Sequence, residues 1–286
     1  MRGLTDIVQK DTKWFLSKLS FVVIWDAIMY VMISGVSSCL YPTGICSIYS
    51  FELLFSPFGK ILLYLFIAVF SILYLLEKSM IVTTLALFSV SIIVITFHES
   101  NGIYFRATIL SLIWGVQFLA YLRKYISPNF DIQFYRQQYI WQMIVAVYTL
   151  AAIAKLRSAG IGWGANPDGF AIQVAKNFSF QYFDTANSTI LLKGMNTAYF
   201  FSSHPLLTTG MLSVALLLEL FCGIALINTP IRVIWGVGLL CMHIGIAYFM
   251  GIGISVICFP MVIYFIHPLY AVIVFGRFVK RQFFAG

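Results

Sequence analysis

Residues 61–76 read ILLYLFIAVFSILYLL, and residues 80–97 read MIVTTLALFSVSIIVITF. Neither stretch contains a charged residue, and each approaches the roughly 20 apolar residues that an α-helix needs to cross a bilayer. The whole chain of 286 residues has the same character, since 61% of its residues are hydrophobic, 10% are charged and the mean hydropathy is +0.93. Soluble domains carry about 25% charged residues. The composition therefore excludes a water-soluble globule and predicts an all-α, polytopic membrane helix bundle.

The same criterion, applied outward from these two stretches, predicts about eight transmembrane helices in a single domain that covers residues 1–286. The predicted spans are residues 21–40, 61–76, 80–97, 103–122, 137–156, 205–227, 231–249 and 251–265. A ninth apolar stretch, residues 269–275, is too short to cross and is predicted to lie at the membrane interface. The basic N-terminus is not followed by a short apolar core with a cleavage site, so no removable signal peptide is predicted.

The basic residues predict the orientation of these spans. An even number of spans places both termini on one side, and that side holds all but six of the 18 Lys and Arg residues. The six on the other side are Lys60, Arg106, Lys155, Arg157, Lys176 and Lys193. Because cytoplasmic loops are rich in Lys and Arg, both termini are predicted to be cytoplasmic, in a plasma (inner) membrane. The excess of basic residues is then a topological signal, and no nucleic-acid partner is predicted.

The long connection of residues 157–204 is predicted to face the outside and to contain an interfacial helix. Asn166, Pro167 and Asp168 are typical of a helix start, with Asn as N-cap and Pro in the first turn. Residues 169–178 then alternate apolar and polar side chains at helical spacing, as in a helix that lies in the plane of the interface.

The cysteines and the common catalytic motifs exclude several classes of site. The five cysteines show no metal-ligand spacing, so no metal is predicted. Cys222, Cys241 and Cys258 lie in apolar runs and are predicted to be packed thiols, whereas a disulfide between Cys39 and Cys46 is left open. The chain lacks the motifs typical of nucleotide-binding proteins, zinc metalloproteases and serine hydrolases.

Five ionisable residues interrupt the apolar spans, where such groups are costly and commonly functional. They are Asp26, His98, Lys155, Glu219 and His243. From a rise of about 1.5 Å per residue, His98, Lys155 and His243 lie near the outer ends of their spans, and they are predicted to open onto one outward-facing cavity. Glu219 lies roughly 12 Å from the inner boundary on the same rise and is predicted to lie deeper, without direct contact to Lys155.

Each of these residues also has a purely structural interpretation. Lys155 can extend to the interface as lysines near span ends do, and His98 can be a solvated interface residue. His243 can be a hydrogen-bond partner between helices. Glu219 and Asp26 can be structural acids, with Asp26 paired to a nearby Lys or Arg.

The segment from Tyr148 through Lys155-Leu156 to Trp163 and Asp168-Gly169 is the most specific pattern in the chain. It resembles the vitamin K-dependent γ-glutamyl carboxylase family and its bacterial relatives, the HTTM-domain membrane proteins. Two further regions agree in order with that family: His98-Glu-Ser-Asn101 at the end of an earlier span, and Leu218-Glu219-Leu220 followed by His243. In size the chain is similar to the short bacterial type, like sporulation-delaying protein B, which is associated with maturation of a secreted antimicrobial peptide.

The resemblance implies roles for these residues. Lys155 would be a catalytic base that couples quinol oxidation to deprotonation of the substrate, and His98 and His243 would be catalytic residues beside it. Tyr148, Trp163, Asp168 and Glu219 would line the substrate and quinol pocket. Tyr148 and Lys155 are two helical turns apart and share a helix face, and a lysine in an apolar pocket can act as a base because desolvation disfavours its charged form.

Two hypotheses of different class follow. The first is a membrane enzyme with a lysine base that modifies a secreted peptide at the outer membrane face, with a quinol as the cofactor that the resemblance implies. Its partners would be membrane lipids, a hydrophobic peptide substrate and a small accessory protein. The second is a non-enzymatic membrane component that exports, escorts or confers immunity to an antimicrobial peptide. A transporter is less favoured because no pair of broken half-helices at matching positions is apparent.

Overall fold

The computed structural model describes residues 2–36, 41–101, 107–250, 256 and 258–272. All regular structure in these ranges is helical, which confirms the all-α prediction. The α-helices are α1 (Arg2–Ser34), α2 (Pro57–Leu75), α3 (Met80–Glu99), α4 (Thr108–Ile126), α5 (Ile132–Ala159), α6 (Pro167–Thr185), α7 (Ser188–Ser203), α8 (Pro205–Leu220), α9 (Thr229–Met250) and α10 (Cys258–Met261). Short 3-10 turns are found at Gly44–Ser47, Glu52–Phe55, Ile161–Trp163 and Cys222–Leu226, and a π-helical turn at Val262–Ile266.

Five helices are long and apolar enough to cross a membrane: Thr12–Ser34 within α1, and α2, α3, α5 and α9. A sixth crossing results if α7 and α8, which are bent by 94° at a short break, are counted as one broken span. The predicted count of eight is therefore not confirmed. The polar side chains of Gln117, Arg123 and Lys124 lower the apolar character of α4, and α8 has 16 residues, fewer than the roughly 20 of a full span. Residues 251–255 and 257 of the predicted last span, and Cys39, lie outside the described residues.

The chain divides into two compact units, Met1–Met143 with Val262–Gly286, and Ile144–Met261. The core of the first unit is built around the buried indole of Trp114 on α4. The rings of Phe21, Trp25 and Tyr74 lie 5.0, 5.4 and 4.7 Å from it, centroid to centroid. The Tyr74 hydroxyl donates a hydrogen bond to Gln117 Oε1 at 2.5 Å. Aromatic packing and the hydrogen bond from Tyr74 to Gln117 thus join α1, α2 and α4.

Polar contacts also cross the first unit within its apolar helices. Asp26 on α1 accepts a hydrogen bond from the Ser71 hydroxyl on α2 at 2.8 Å, in place of the expected partner Lys or Arg. Trp25 Nε1 on α1 donates to Ser91 Oγ on α3 at 3.1 Å. Hydrogen bonds between helices replace those that water would provide in an exposed segment.

Glu77, in the turn between α2 and α3, joins three side chains that come from α1 and α5. Its Oε1 atom accepts from Lys18 Nζ at 2.7 Å, from Trp14 Nε1 at 3.3 Å and from Arg136 Nη1 at 3.4 Å. The Lys18 and Arg136 side chains are only 2% and 5% exposed, whereas that of Glu77 is 44% exposed. Two basic residues that the sequence assigns to cytoplasmic loops are therefore buried around one carboxylate.

In the second unit, α6 and α7 form an antiparallel hairpin. Asn166 Oδ1 accepts a hydrogen bond from Gly169 N at 2.9 Å, and Pro167 occupies the first turn, which confirms the predicted helix start. The two helices approach closely because α7 has a glycine at Gly194, where a Cβ atom would lie only 2.2 Å from the Cβ of Phe178. Buried side chains hold the hairpin together: Ala171, Val174, Phe178, Ala198 and Phe201.

After the bend, α8 packs against α9. Trp235 Nε1 on α9 donates to the Leu218 carbonyl at 2.9 Å. Arg232, near the start of α9, is 4% exposed and its Nε donates to the Ala225 carbonyl at 3.1 Å. These two bonds hold the C-terminal end of α8, and the 3-10 turn that follows it, against α9.

Candidate functional site

Lys155 and Glu219 form an ion pair in the second unit. Lys155 Nζ lies 2.5 Å from Glu219 Oε2, and the side chains are 29% and 6% exposed, respectively. Lys155 lies one turn before the end of α5, and Glu219 is the penultimate residue of α8. The buried carboxylate thus has a cationic partner that remains in part accessible.

This contact contradicts the prediction that Glu219 lies deeper and does not touch Lys155. The depth estimate treated residues 205–227 as one continuous span. In the structure, α8 ends at Leu220 and a 3-10 turn, Cys222–Leu226, follows. Glu219 therefore lies at a helix end, where it meets the corresponding end of α5.

Trp163 covers the same ammonium group. Its ring centroid lies 4.8 Å from Lys155 Nζ, within the range of a cation–π interaction. The chain turns back to reach this position at Gly160, whose φ and ψ of 65° and −163° belong to a region that only glycine adopts readily. Gly160 N donates to the Leu156 carbonyl at 2.8 Å, and Trp163 N donates to the Gly160 carbonyl at 3.2 Å. Glycine at this one position therefore sets the indole over the lysine.

Tyr148 and His243 form a second polar contact in this unit. The Tyr148 hydroxyl lies 2.9 Å from His243 Nε2 and 3.1 Å from Met261 Sδ. Tyr148 is 2% exposed and lies seven residues before Lys155, about 10 Å along the helix at the usual rise. Helix α5 thus contacts His243 through Tyr148, and a cavity that His243 shares with Lys155 stays a prediction.

Asp168 and His98 are two further residues that the sequence assigns to the site. Asp168 is exposed in the first turn of α6, and its Oδ1 accepts a hydrogen bond from Ser202 Oγ on α7 at 3.1 Å. His98 is buried near the end of α3, in the first unit. Membership of Asp168 and His98 in the pocket remains a prediction.

The arrangement in the second unit has the parts of a proton-transfer site. It offers an amine, a carboxylate in hydrogen-bond contact with it and an aromatic face beside the amine. Among the described residues, no group of three or more His, Cys, Asp or Glu side chains could hold a metal ion.

Sequence reasoning identified Lys155, Glu219 and Trp163 separately and missed the contact between the first two. A signal was available, because a glutamate inside an apolar run requires a buried partner and Lys155 is a cation at a span end. The pair is separated by 64 residues, however, and although Pro205 marks the start of α8, hydropathy does not indicate that α8 ends directly after Glu219.

Compared with protein-family models, with curated proteins and with solved structures, the chain matches none. The fold itself defines the class: an all-helical protein, over its described residues, with five or six helices that could span a membrane.

Proposed function

We propose that the chain is an integral membrane protein that modifies a secreted peptide, with Lys155 as the catalytic base. The observation that carries this proposal is the position of Lys155, whose partly accessible ammonium lies between the Glu219 carboxylate and the Trp163 ring. The family resemblance of the segment that contains Tyr148, Lys155 and Trp163 points to the same residue.

Glu219 solves the main difficulty for a lysine base. In the ion pair the amine is protonated and cannot accept a further proton. Transfer of that proton along the hydrogen bond to Glu219 gives a neutral amine and a neutral carboxylic acid. The amine can then take one proton from the substrate while the carboxylic acid holds the other.

The residues around Lys155 fit a quinol. Trp163 offers a flat apolar wall and Lys155 offers a polar group. Apart from the chain neighbours of Gly160 and Gly162, no heavy atom of the described residues lies within 4 Å of the positions that Cβ atoms of these glycines would take. A quinol, when bound there, would supply reducing equivalents. The role of this chain would be to hold the ring beside Trp163 and to accept a proton at Lys155 Nζ.

We further propose that this site faces the outside and that both termini are cytoplasmic. This orientation requires α4 to cross the membrane. With 19 residues, α4 is about 28 Å long at the usual rise, close to the roughly 30 Å of the hydrocarbon core. The test places single cysteines at Ser127 and Ser202, in a chain whose own cysteines are replaced. An impermeant thiol reagent applied from outside should label the cysteine at Ser202 alone. If α4 does not cross, the labelling pattern reverses.

We also propose that the α6–α7 hairpin lies along the outer interface. The hairpin follows the end of α5 that carries Lys155, and the proposed orientation places that end outside. Large aromatic side chains of the hairpin are exposed, including Phe180, Phe183 and Tyr199. Aromatic residues of this kind favour the interface.

The second hypothesis, a non-enzymatic escort or immunity protein, is favoured by the same ion pair, because Glu219 neutralises the charge of Lys155. With its charge matched by Glu219, Lys155 is explained as a link between α5 and α8. The two hypotheses differ in what arginine does at this position. Arginine keeps the ion pair but cannot be deprotonated, so it preserves a structural link and removes a base.

The distinguishing experiment compares Lys155→Arg with Lys176→Arg at matched membrane expression. Lys176 is a suitable control because it is exposed and also lies over an aromatic ring, that of Phe180 at 5.7 Å. The readouts are oxidation of menadiol, a soluble naphthoquinol, by membranes and the mass of a co-expressed secreted peptide. Removal of a general base should reduce turnover by about 10²-fold or more, with the control unchanged. Full activity in Lys155→Arg would favour the escort hypothesis.

A further inference from the structure

A groove in the first unit runs along one face of α1, against the segment that follows α10. Its α1 wall includes Lys13, Ser17, Ser20 and Ile24, and its other wall includes Val262 and His267. The α1 residues are separated by four, three and four positions, which places them on a single helix face. The cavity measures about 200 Å³.

The groove changes from charged to apolar along its length. Lys13 lies at one end, with its Nζ 5.7 Å from the centroid of the Tyr270 ring. Ser17 Oγ and His267 Nδ1 meet at 3.1 Å in the next turn. Beyond them, Ile24 and Val262 provide apolar walls. A molecule with an anionic head and an apolar tail complements this order of side chains.

The length and depth of the groove match one membrane leaflet. The membrane-spanning part of α1 begins at Thr12, so Lys13 lies at the level where lipid phosphates begin. Ile24 is eleven residues further along, about 16 Å at the usual rise, and half of the hydrocarbon core is about 15 Å thick. The groove thus extends from the headgroup level to the middle of the bilayer.

We propose that this groove binds an anionic phospholipid, with the phosphate near Lys13 and one acyl chain along α1 towards Ile24. The lipid comes from the leaflet that surrounds the N-terminal end of α1. This site is independent of the Lys155 site, since every residue that lines it belongs to the first unit.

The test is native mass spectrometry of the purified full chain after equilibration in vesicles of phosphatidylglycerol and phosphatidylcholine in equal amounts. The wild type should retain phosphatidylglycerol in preference to phosphatidylcholine. Lys13→Gln should reduce this preference about fivefold, the effect of one lysine near an anionic surface. Lys78→Gln is the matched control, because Lys78 is exposed in the turn after α2 and does not line the groove.

A second variant tests the apolar end of the groove. Ile24→Trp fills the cavity and should remove the retained lipid whatever its headgroup. Equal loss of preference in Lys13→Gln and Lys78→Gln would overturn the proposal, as would unchanged retention in a folded Ile24→Trp. If Ile24→Trp does not fold, the comparison of the two lysine variants decides the question. If the wild type retained both lipids without preference, the groove would bind acyl chains irrespective of the headgroup. That result would also overturn the proposal.

Discussion

Glu77→Gln should destabilise the first unit, because it removes the carboxylate charge that Lys18 and Arg136 share. Both cations bond to Glu77 Oε1, and their side chains are 2% and 5% exposed. Removing one partner of a buried ion pair costs about 3–5 kcal/mol. The Glu77 side chain is 44% exposed, so water screens part of the interaction, and we expect a loss of about 2 kcal/mol.

The assay is thermal unfolding in detergent, followed by tryptophan fluorescence. A loss of this size should lower the midpoint by about 4–8 °C for a chain of this length. Glu52→Gln serves as the control, because Glu52 is exposed and exposed substitutions usually change stability by less than about 0.5 kcal/mol. Equal midpoints for Glu77→Gln and Glu52→Gln would refute the claim that Glu77 stabilises the two buried cations.

Three further predictions follow from the same structure. First, burial raises the pKa of Glu77, but hydrogen bonds and charges from Lys18, Arg136 and Trp14 outweigh burial and leave that pKa below its ordinary value. The stability that Glu77 contributes is complete above its pKa in the unfolded chain and is lost as the pH falls through its pKa in the folded chain. Unfolding midpoints measured across the acid range should therefore fall less steeply in Glu77→Gln than in the wild type. Second, Gly160→Ala should cost about 1–3 kcal/mol because alanine is strained at this backbone conformation. In protein labelled with fluorotryptophan it should shift the fluorine resonance of Trp163, assigned from Trp163→Phe, whereas Gly210→Ala, a site with open space around it among the described residues, should leave that resonance unchanged. Third, Asp168→Asn should leave turnover near the wild-type value if the contact of Asp168 with Ser202 only joins α6 to α7. A loss of turnover of about 10-fold or more at unchanged stability would instead indicate that Asp168 belongs to the catalytic pocket.

The parts of the fold that depend on local sequence could be predicted, and those that depend on distant contacts could not. The start of α6 follows from Asn166 and Pro167, which act within one helical turn. Helices α2 and α3 follow from uninterrupted apolar runs. The apolar run of residues 205–227 has the same appearance, yet it ends as a helix at Leu220.

The candidate site shows the same division. Lys155 and Glu219 were identifiable one at a time, because a charged residue in an apolar segment is costly. Their contact depends on where α8 begins and ends, which hydropathy does not encode. The burial of Lys18 and Arg136 could not be predicted from the sequence. A count of basic residues treats both side chains as solvated, although they are buried beside Glu77.

The central claim is that Lys155 Nζ accepts a proton from the substrate, and chemical rescue tests it most directly. The starting variant is Lys155→Ala, which removes the amine and keeps the Glu219 carboxylate to which the amine would transfer its proton. Because the Lys155 side chain is 29% exposed, a small amine from solution can reach the space that this variant opens. The measurement is menadiol oxidation by membranes in the presence of added alkylamines.

The variant should be inactive without added amine. Its activity should return with added alkylamines at a rate that depends on their basicity, whereas guanidinium, which stays protonated, should not restore it. Full activity of the variant without any amine, or equal rescue by guanidinium and by alkylamines, would contradict a role for Lys155 as a base.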